Sequence, residues 1–303
     1  MVLRRASPSN RSGLLDILIL PTPTHDLLEI FFVFKNILSF VAISLASSLF
    51  ASAAQAHFQM VYTPDLLRER GGLINLKLPF THPADSGYVM AVEPPEQFYV
   101  VKKGKKTDLL ANIKTSTWTS AANTGDAYEV DATLRGLGDH VFVMQMAPYF
   151  EEAENVYIQQ IVKTIVNVGT LPTDWNETLG LTAEIVPLTK PYGILAGGSF
   201  TGVVKSRGKP VPFAEIEVEY VNYDPDMKNN RFSDTANANL PSDLFITMTI
   251  YADANGTFTF GIPKAGQWGF AALGVGEKTE LNGKELSQDA VIWVQAHDFK
   301  AVK

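Results

Sequence analysis

Short runs of valine, isoleucine, phenylalanine and tyrosine, each closed by a turn signal, recur along most of this chain and leave little room for anything but sheet. LINLKLPF (73–80), GYVMAV (87–92), QFYVV (97–101), HVFVMQM (140–146) and YIQQIVKTIVNV (157–168) are such runs. Their β-branched and aromatic side chains suit a pleated, half-buried surface. Gly71-Gly72 and Lys103-Gly104 supply turns between them. One helical turn is expected in TDLLANI, behind a cap at Thr107 or Asp108.

Pro187, Pro191, Gly193, Gly197 and Gly198 punctuate EIVPLTKPYGILAGGSFTG and place a boundary there. Beyond it, Ile216, Val218 and Tyr220 alternate with glutamates in one strand. Asp253-Ala254-Asn255-Gly256 reads as a hairpin turn, and AVIWVQA (290–296) as the closing strand. The expected fold is all-β, with two β-sandwich domains in tandem: residues 57–190, carrying any metal site, and residues 191–303, immunoglobulin-like or transthyretin-like. Residues 223–243 are polar and without period, which reads as a mobile loop. Their spacing lacks the D-x-D-x-D-G order of a calcium loop.

The stretch FKNILSFVAISLASSLFASAAQA, Phe34 to Ala56, has a lysine, an apolar run and small residues ending Ala54-Gln55-Ala56. That is the plan of a secretory signal, with cleavage expected between Ala56 and His57. Residues 1–56 then comprise an extended N-terminus and a cleaved signal peptide. An initiating residue at Val33 would bring the signal to its usual length. The run is diluted by serines and barely reaches spanning length, and no second run of that length follows. The mature protein is expected to be soluble in the periplasm of a Gram-negative cell, without membrane insertion.

Cysteine is absent and the formal net charge is -7. The first excludes disulfides, thiolate metal sites and cysteine nucleophiles. The second, with no basic cluster, argues against nucleic acid as a partner. No G-x-S-x-G, H-E-x-x-H, phosphate-binding loop or dinucleotide glycine pattern occurs, so no enzyme activity is expected. A metal would need histidine, carboxylate, amide, thioether or amino-terminal donors.

Of the five histidines, His57, His82, His140 and His297 follow the cleavage site. A freed His57 would offer an α-amine of pKa about 8 beside an imidazole of about 6.5, a chelating pair for copper, nickel or cobalt. His82, before Pro83 at a strand end, is placed to point into a cleft. His140 opens a strand, and His297 reads as part of a frayed end. Glu151 and Glu154, in PYFEEAENVYI, are candidate oxygen ligands. Met144 and Met146 read as core.

HFQMVYTP at the mature start, LPFTHP with Met90 and Pro94-Pro95 following, APYFEEAENVYIQQIVK, the linker EIVPLTKPYGILAGGSFTG, GKPVPFAEIEVEY, DANGTFTFGIPKAGQWGFAAL and AVIWVQ carry a resemblance over essentially the whole mature chain. The sequence looks like exported proteins known as periplasmic components of ABC-type cobalt or nickel uptake systems, which share an uncharacterised β-rich domain. The resemblance implies a nickel- or cobalt-binding protein that passes its metal to an inner-membrane transporter. On that pattern His57 and His82 correspond to the family's histidines. Two other readings stand beside it. One is a copper protein with a histidine brace, and the other is a non-catalytic β-sandwich interaction module. N-terminal sequencing of the exported protein is expected to read His-Phe-Gln-Met from residue 57; any other start removes the cleavage assignment.

Overall fold

The computed structural model describes residues 57–300; the extended N-terminus and signal peptide expected over 1–56 lie outside the described residues. At the centre, strand Val156–Val168 pairs in parallel with Lys284–His297, from Tyr157 opposite Leu286 to Thr164 opposite Trp293. Every residue from Ile158 to Val168 is buried, as expected of a strand covered on both faces. Strand order in this central twelve-stranded sheet runs Met248–Tyr251, Glu215–Tyr220, Gly266–Ala272, Lys284–His297, Val156–Val168, Gly138–Gln145, Gln97–Lys102, Lys105–Asp108, with four short strands attached to the two central ones.

Besides a two-stranded ribbon, two smaller sheets accompany it. A five-stranded sheet is ordered Tyr223–Asp226, Arg231–Ala236, Ile113–Thr119, Thr124–Leu134, Gly72–Leu78. A four-stranded one holds Glu184–Pro187, Ser199–Ser206, Lys209–Pro210 and Thr257–Gly261. Phe200 and Phe258 of the four-stranded sheet meet Phe270 of the central sheet, with ring centroids 4.8 and 5.7 Å apart. The protein is thus mostly β, with several sheets in β-sandwich arrangement. Strands on both sides of residue 190 share sheets: Val156–Val168 lies beside Lys284–His297, Glu184–Pro187 beside Ser199–Ser206, and Arg231 opposite Thr119. Residues 57–300 belong to one compact unit. No helix among the described residues is long and apolar enough to cross a membrane.

Three segments differ from the sequence reading. Gly87–Val92 forms no strand, because its backbone is satisfied elsewhere. The side chain of Asn123 accepts from Val89 N at 2.8 Å and donates to Val89 O at 3.0 Å, while Met90 N reaches Phe80 O. Such side-chain bonds compete with a ladder. Residues 223–243 are not a plain loop, since Tyr223–Asp226 and Arg231–Ala236 pair as antiparallel strands around a turn where Asp226 accepts from Lys228 N and Asn229 N. His297 ends the longest strand and contacts Tyr192 O at 3.0 Å through Nε2, so that end is held.

A buried ion pair joins the central sheet to the four-stranded one. Lys163 Nζ lies 3.0 Å from Glu184 Oε1, both side chains being almost fully buried. Glu184 also accepts from Leu179 N at 2.9 Å and Gly180 N at 3.0 Å, pinning the loop before its own strand. Removing one partner strands the other charge. Glu184→Ala is therefore expected to cost about 3–5 kcal/mol in urea unfolding. Replacing the pair together, Lys163→Met with Glu184→Leu, is expected to cost less than the single change.

Candidate functional site

A two-stranded ribbon brings the first two candidate histidines together. Phe58–Gln59 pairs antiparallel with Phe80–Thr81, Phe58 opposite Thr81, so the residues flanking that pair, His57 and His82, sit at the same end. Their ring centroids are 4.4 Å apart with planes tilted by 44°. Phe80 packs against His57 at 5.5 Å and against Tyr149 at the same distance. Gln160, from the buried central strand, donates to His57 O at 2.7 Å and accepts from Gln59 N at 2.8 Å. The histidine backbone is thereby fixed to the middle of the sheet.

Charge is distributed unevenly over the pair. His82 Nδ1 lies 2.6 Å from Glu219 Oε1, which also accepts from Thr247 Oγ1 at 2.7 Å. Glu219 is fully buried, and its Oε2 has no hydrogen-bond partner. Burial acts to lower the pKa of His82, but the Glu219 carboxylate outweighs it and holds the ring above its ordinary value. Burial pushes Glu219 up in turn, partly offset by His82. His57 goes the other way: burial and then the neighbouring His82 lower it to about 3. A neutral ring thus lies against one that readily holds a proton.

The nickel, cobalt or copper centre expected from the sequence is not assembled. Among the described residues no group of three or more histidine, cysteine, aspartate or glutamate side chains is placed to hold a metal ion. His82 commits Nδ1 to Glu219. His57 Nδ1 has one carboxylate oxygen within 4.0 Å, that of Glu151, and the two do not belong to any set of three such donors. His140 lies in Gly138–Gln145 with Nε2 3.2 Å from the Lys102 ammonium, a neighbour that repels cations. Glu154 is exposed on the turn after Tyr149–Glu151. The metal-binding and metal-uptake reading is overturned on this geometry. Of the five residues expected to ligate, His57, His82 and Glu151 come near one another, whereas His140 and Glu154 do not join them.

Glu219 and Thr247 were not singled out by the sequence reading. Glutamates alternate with Ile216, Val218 and Tyr220 in that strand, and both Glu217 and Glu219 are buried. The available signal was the second edge of the same pattern: a strand lying inside a sheet must bury both faces.

A family model, "Domain of unknown function (DUF4198)", matches residues 54–276. No curated protein matches the chain. Among solved structures, dimeric latent PorU from Porphyromonas gingivalis is similar at 11% identity and a TM-score of 0.20, over 79% of this chain and 20% of PorU. The D0-D1 domain of intimin is similar at 11% identity and 0.20, over 76% and 94%. CfaE, the adhesive subunit of CFA/I fimbria of enterotoxigenic Escherichia coli, is similar at 9% and 0.17, over 81% and 85%. At such TM-scores no property of these proteins carries over.

The depressed His57 has a pH consequence. The unfolded chain binds this proton near pH 6.5 and the folded chain only near 3, so its contribution is full above about 6.5 and is lost as pH falls. His82, raised in the fold, acts oppositely, stabilising below about 6.5 and losing this as pH rises through its folded value. Urea midpoints across pH 4–8 are expected to show His57→Phe losing about 2 kcal/mol less than the parent between pH 7 and 5. In Glu219→Gln, the His82 ring protons are expected to titrate below rather than above about 6.5.

Proposed function

The chain belongs to the DUF4198 family, and from that premise we propose that it is a non-catalytic β-sandwich interaction module, exported to the periplasm, that meets a partner protein through loops at the His57–His82 end. The observation that carries this reading is a group of exposed apolar side chains on those loops. Leu244, Tyr88 and Phe245 are 78%, 59% and 41% exposed. Asn222 ties their loops together by donating to Ala84 O at 3.1 Å and Ala238 O at 3.0 Å. Thr247, just beyond Phe245, is anchored on Glu219.

Tyrosine and phenylalanine are enriched where proteins meet, tyrosine among the residues that carry most of the binding energy, and loops held by a rigid sheet are where such side chains are presented. Asp85 and Asp243 lie close enough to raise the pKa of Asp85, after burial and against His82. The rim is therefore acidic, and an apolar partner surface with a basic border complements it. Export rests on the A-x-A signal ending at Ala56.

A photoreactive benzophenone side chain placed at Tyr88 or Leu244 in cells is expected to give a discrete protein adduct, whereas the same group at Leu73, exposed on another sheet, gives none. Phe245→Asp is expected to abolish the adducts while leaving the urea midpoint within about 0.5 kcal/mol of the parent. Equal labelling at Leu73, or no adduct at Tyr88 and Leu244, overturns the assignment.

A further inference from the structure

We propose that the cleft between the central and five-stranded sheets, floored by Val100, Leu109 and Phe142 and bordered by Lys102, Arg135 and His140, binds a small amphipathic carboxylate. The cleft holds about 320 Å³, within the range of small-molecule sites, and has the usual plan of an apolar wall with a few placed polar groups. The ladder builds it: Val100 lies opposite Phe142 in antiparallel register, which puts Lys102 opposite His140 two residues on.

The lining is positive at Lys102 and Arg135, and the carboxylates that act on Lys102, Asp174 and Asp139, do so from beyond ion-pair distance. Lys102 Nζ is held by neutral acceptors, Leu137 O at 2.9 Å, Gly136 O at 3.3 Å and His140 Nε2 at 3.2 Å. Among the described residues no carboxylate lies within ion-pair distance of Lys102 or Arg135. The acidic group in the wall, Asp131, is paired with Lys114 at 2.8 Å and accepts from Asn75 Nδ2 at 2.9 Å. His140 is 3% exposed, and its Nδ1 is buried without a hydrogen-bond partner. Since Nε2 faces an ammonium, it accepts, and the ring proton falls on Nδ1.

Burial and then Lys102 keep His140 below its ordinary pKa, and burial and then Lys103 lower Lys102. A bound anion relieves both. Arg135 sits exposed at the rim, with a planar fork that matches a carboxylate. The Lys102 charge supplies the field behind it, and the apolar body of the ligand lies on Val100, Leu109 and Phe142. The residue offered by the sequence as a metal ligand is placed here to favour an anion.

Hexanoate titrated into the exported protein tests this, with the His140 ring protons followed by NMR and hexanamide and inorganic phosphate as comparators. Hexanoate is expected to saturate with a Kd of about 1 mM or below and to shift the His140 resonances. Hexanamide is expected to bind at least about tenfold more weakly and phosphate to leave His140 unmoved. Arg135→Gln, a change at the exposed rim, is expected to weaken hexanoate about tenfold. Adducts at Tyr88 should be unaffected, so failure here and failure of the loop surface are separable. Equal binding of the amide, phosphate binding as tight as hexanoate, an unmoved His140, no binding at all, or indifference to Arg135→Gln overturns the proposal.

Discussion

Two long strands lying side by side and buried on both faces set the terms for the rest of this molecule. Residues 158–168 and most of 286–296 are buried, so the parallel ladder from Tyr157 opposite Leu286 to Thr164 opposite Trp293 satisfies backbone groups that have little access to water. The same burial applies to their side chains, several of which are polar. Each has found a partner, and in doing so has tied another segment to the centre. Gln160 and Thr164 hold the chain from His57 to Val61. Lys163 holds Glu184 and the four-stranded sheet. Asn167 holds Asp139, which in turn accepts from Thr173, Asp174 and Trp175. Gln288 holds Gln159 across the pair itself.

This mode of attachment has an energetic logic. A buried polar group contributes little net stability when paired and costs much when it is not, so such partners specify position more than they add strength. The segment beginning at His57 illustrates it. Trp293 Nε1 donates to Gln59 O, Gln295 Oε1 accepts from Leu66 N, and Gln267 donates to Thr63 O. An irregular stretch with few ladder bonds of its own is thus laid on the sheet residue by residue, and the His57 ring is delivered beside His82 with its backbone already fixed.

The same economy explains why histidines and carboxylates that gather at one end form no metal centre. The groups are committed to one another in pairs rather than gathered about a common point: His82 Nδ1 to Glu219 Oε1, Glu219 Oε1 also to Thr247, and the His57 ring packed against Phe80. The loops above are held firmly while their outward side chains remain exposed. On the flank of the molecule Lys102 shows the converse arrangement, an ammonium held by neutral acceptors, one of them the His140 ring, with apolar side chains alongside.

Local patterning alone determined the all-β character, because runs such as YIQQIVKTIVNV and AVIWVQA offer apolar side chains at a spacing that only sheet can bury on both faces. It also marked His57, His82 and Glu151 as neighbours worth watching, and the structure brings these near one another. Which strands lie side by side was decided by tertiary structure: Val156–Val168 finds Lys284–His297 far along the chain, a pairing no local window contains. Gly87–Val92 has the composition of a strand and is claimed by Asn123 instead, and polar residues 223–236 pair with each other as two strands that join the edge at Thr119 through Arg231. Burial of Glu219 followed from that placement as well. A residue's chemistry is written in the sequence, but its desolvation and its partners depend on segments distant in the chain, and those set whether a histidine becomes a ligand, a proton holder or a neutral ring in a wall.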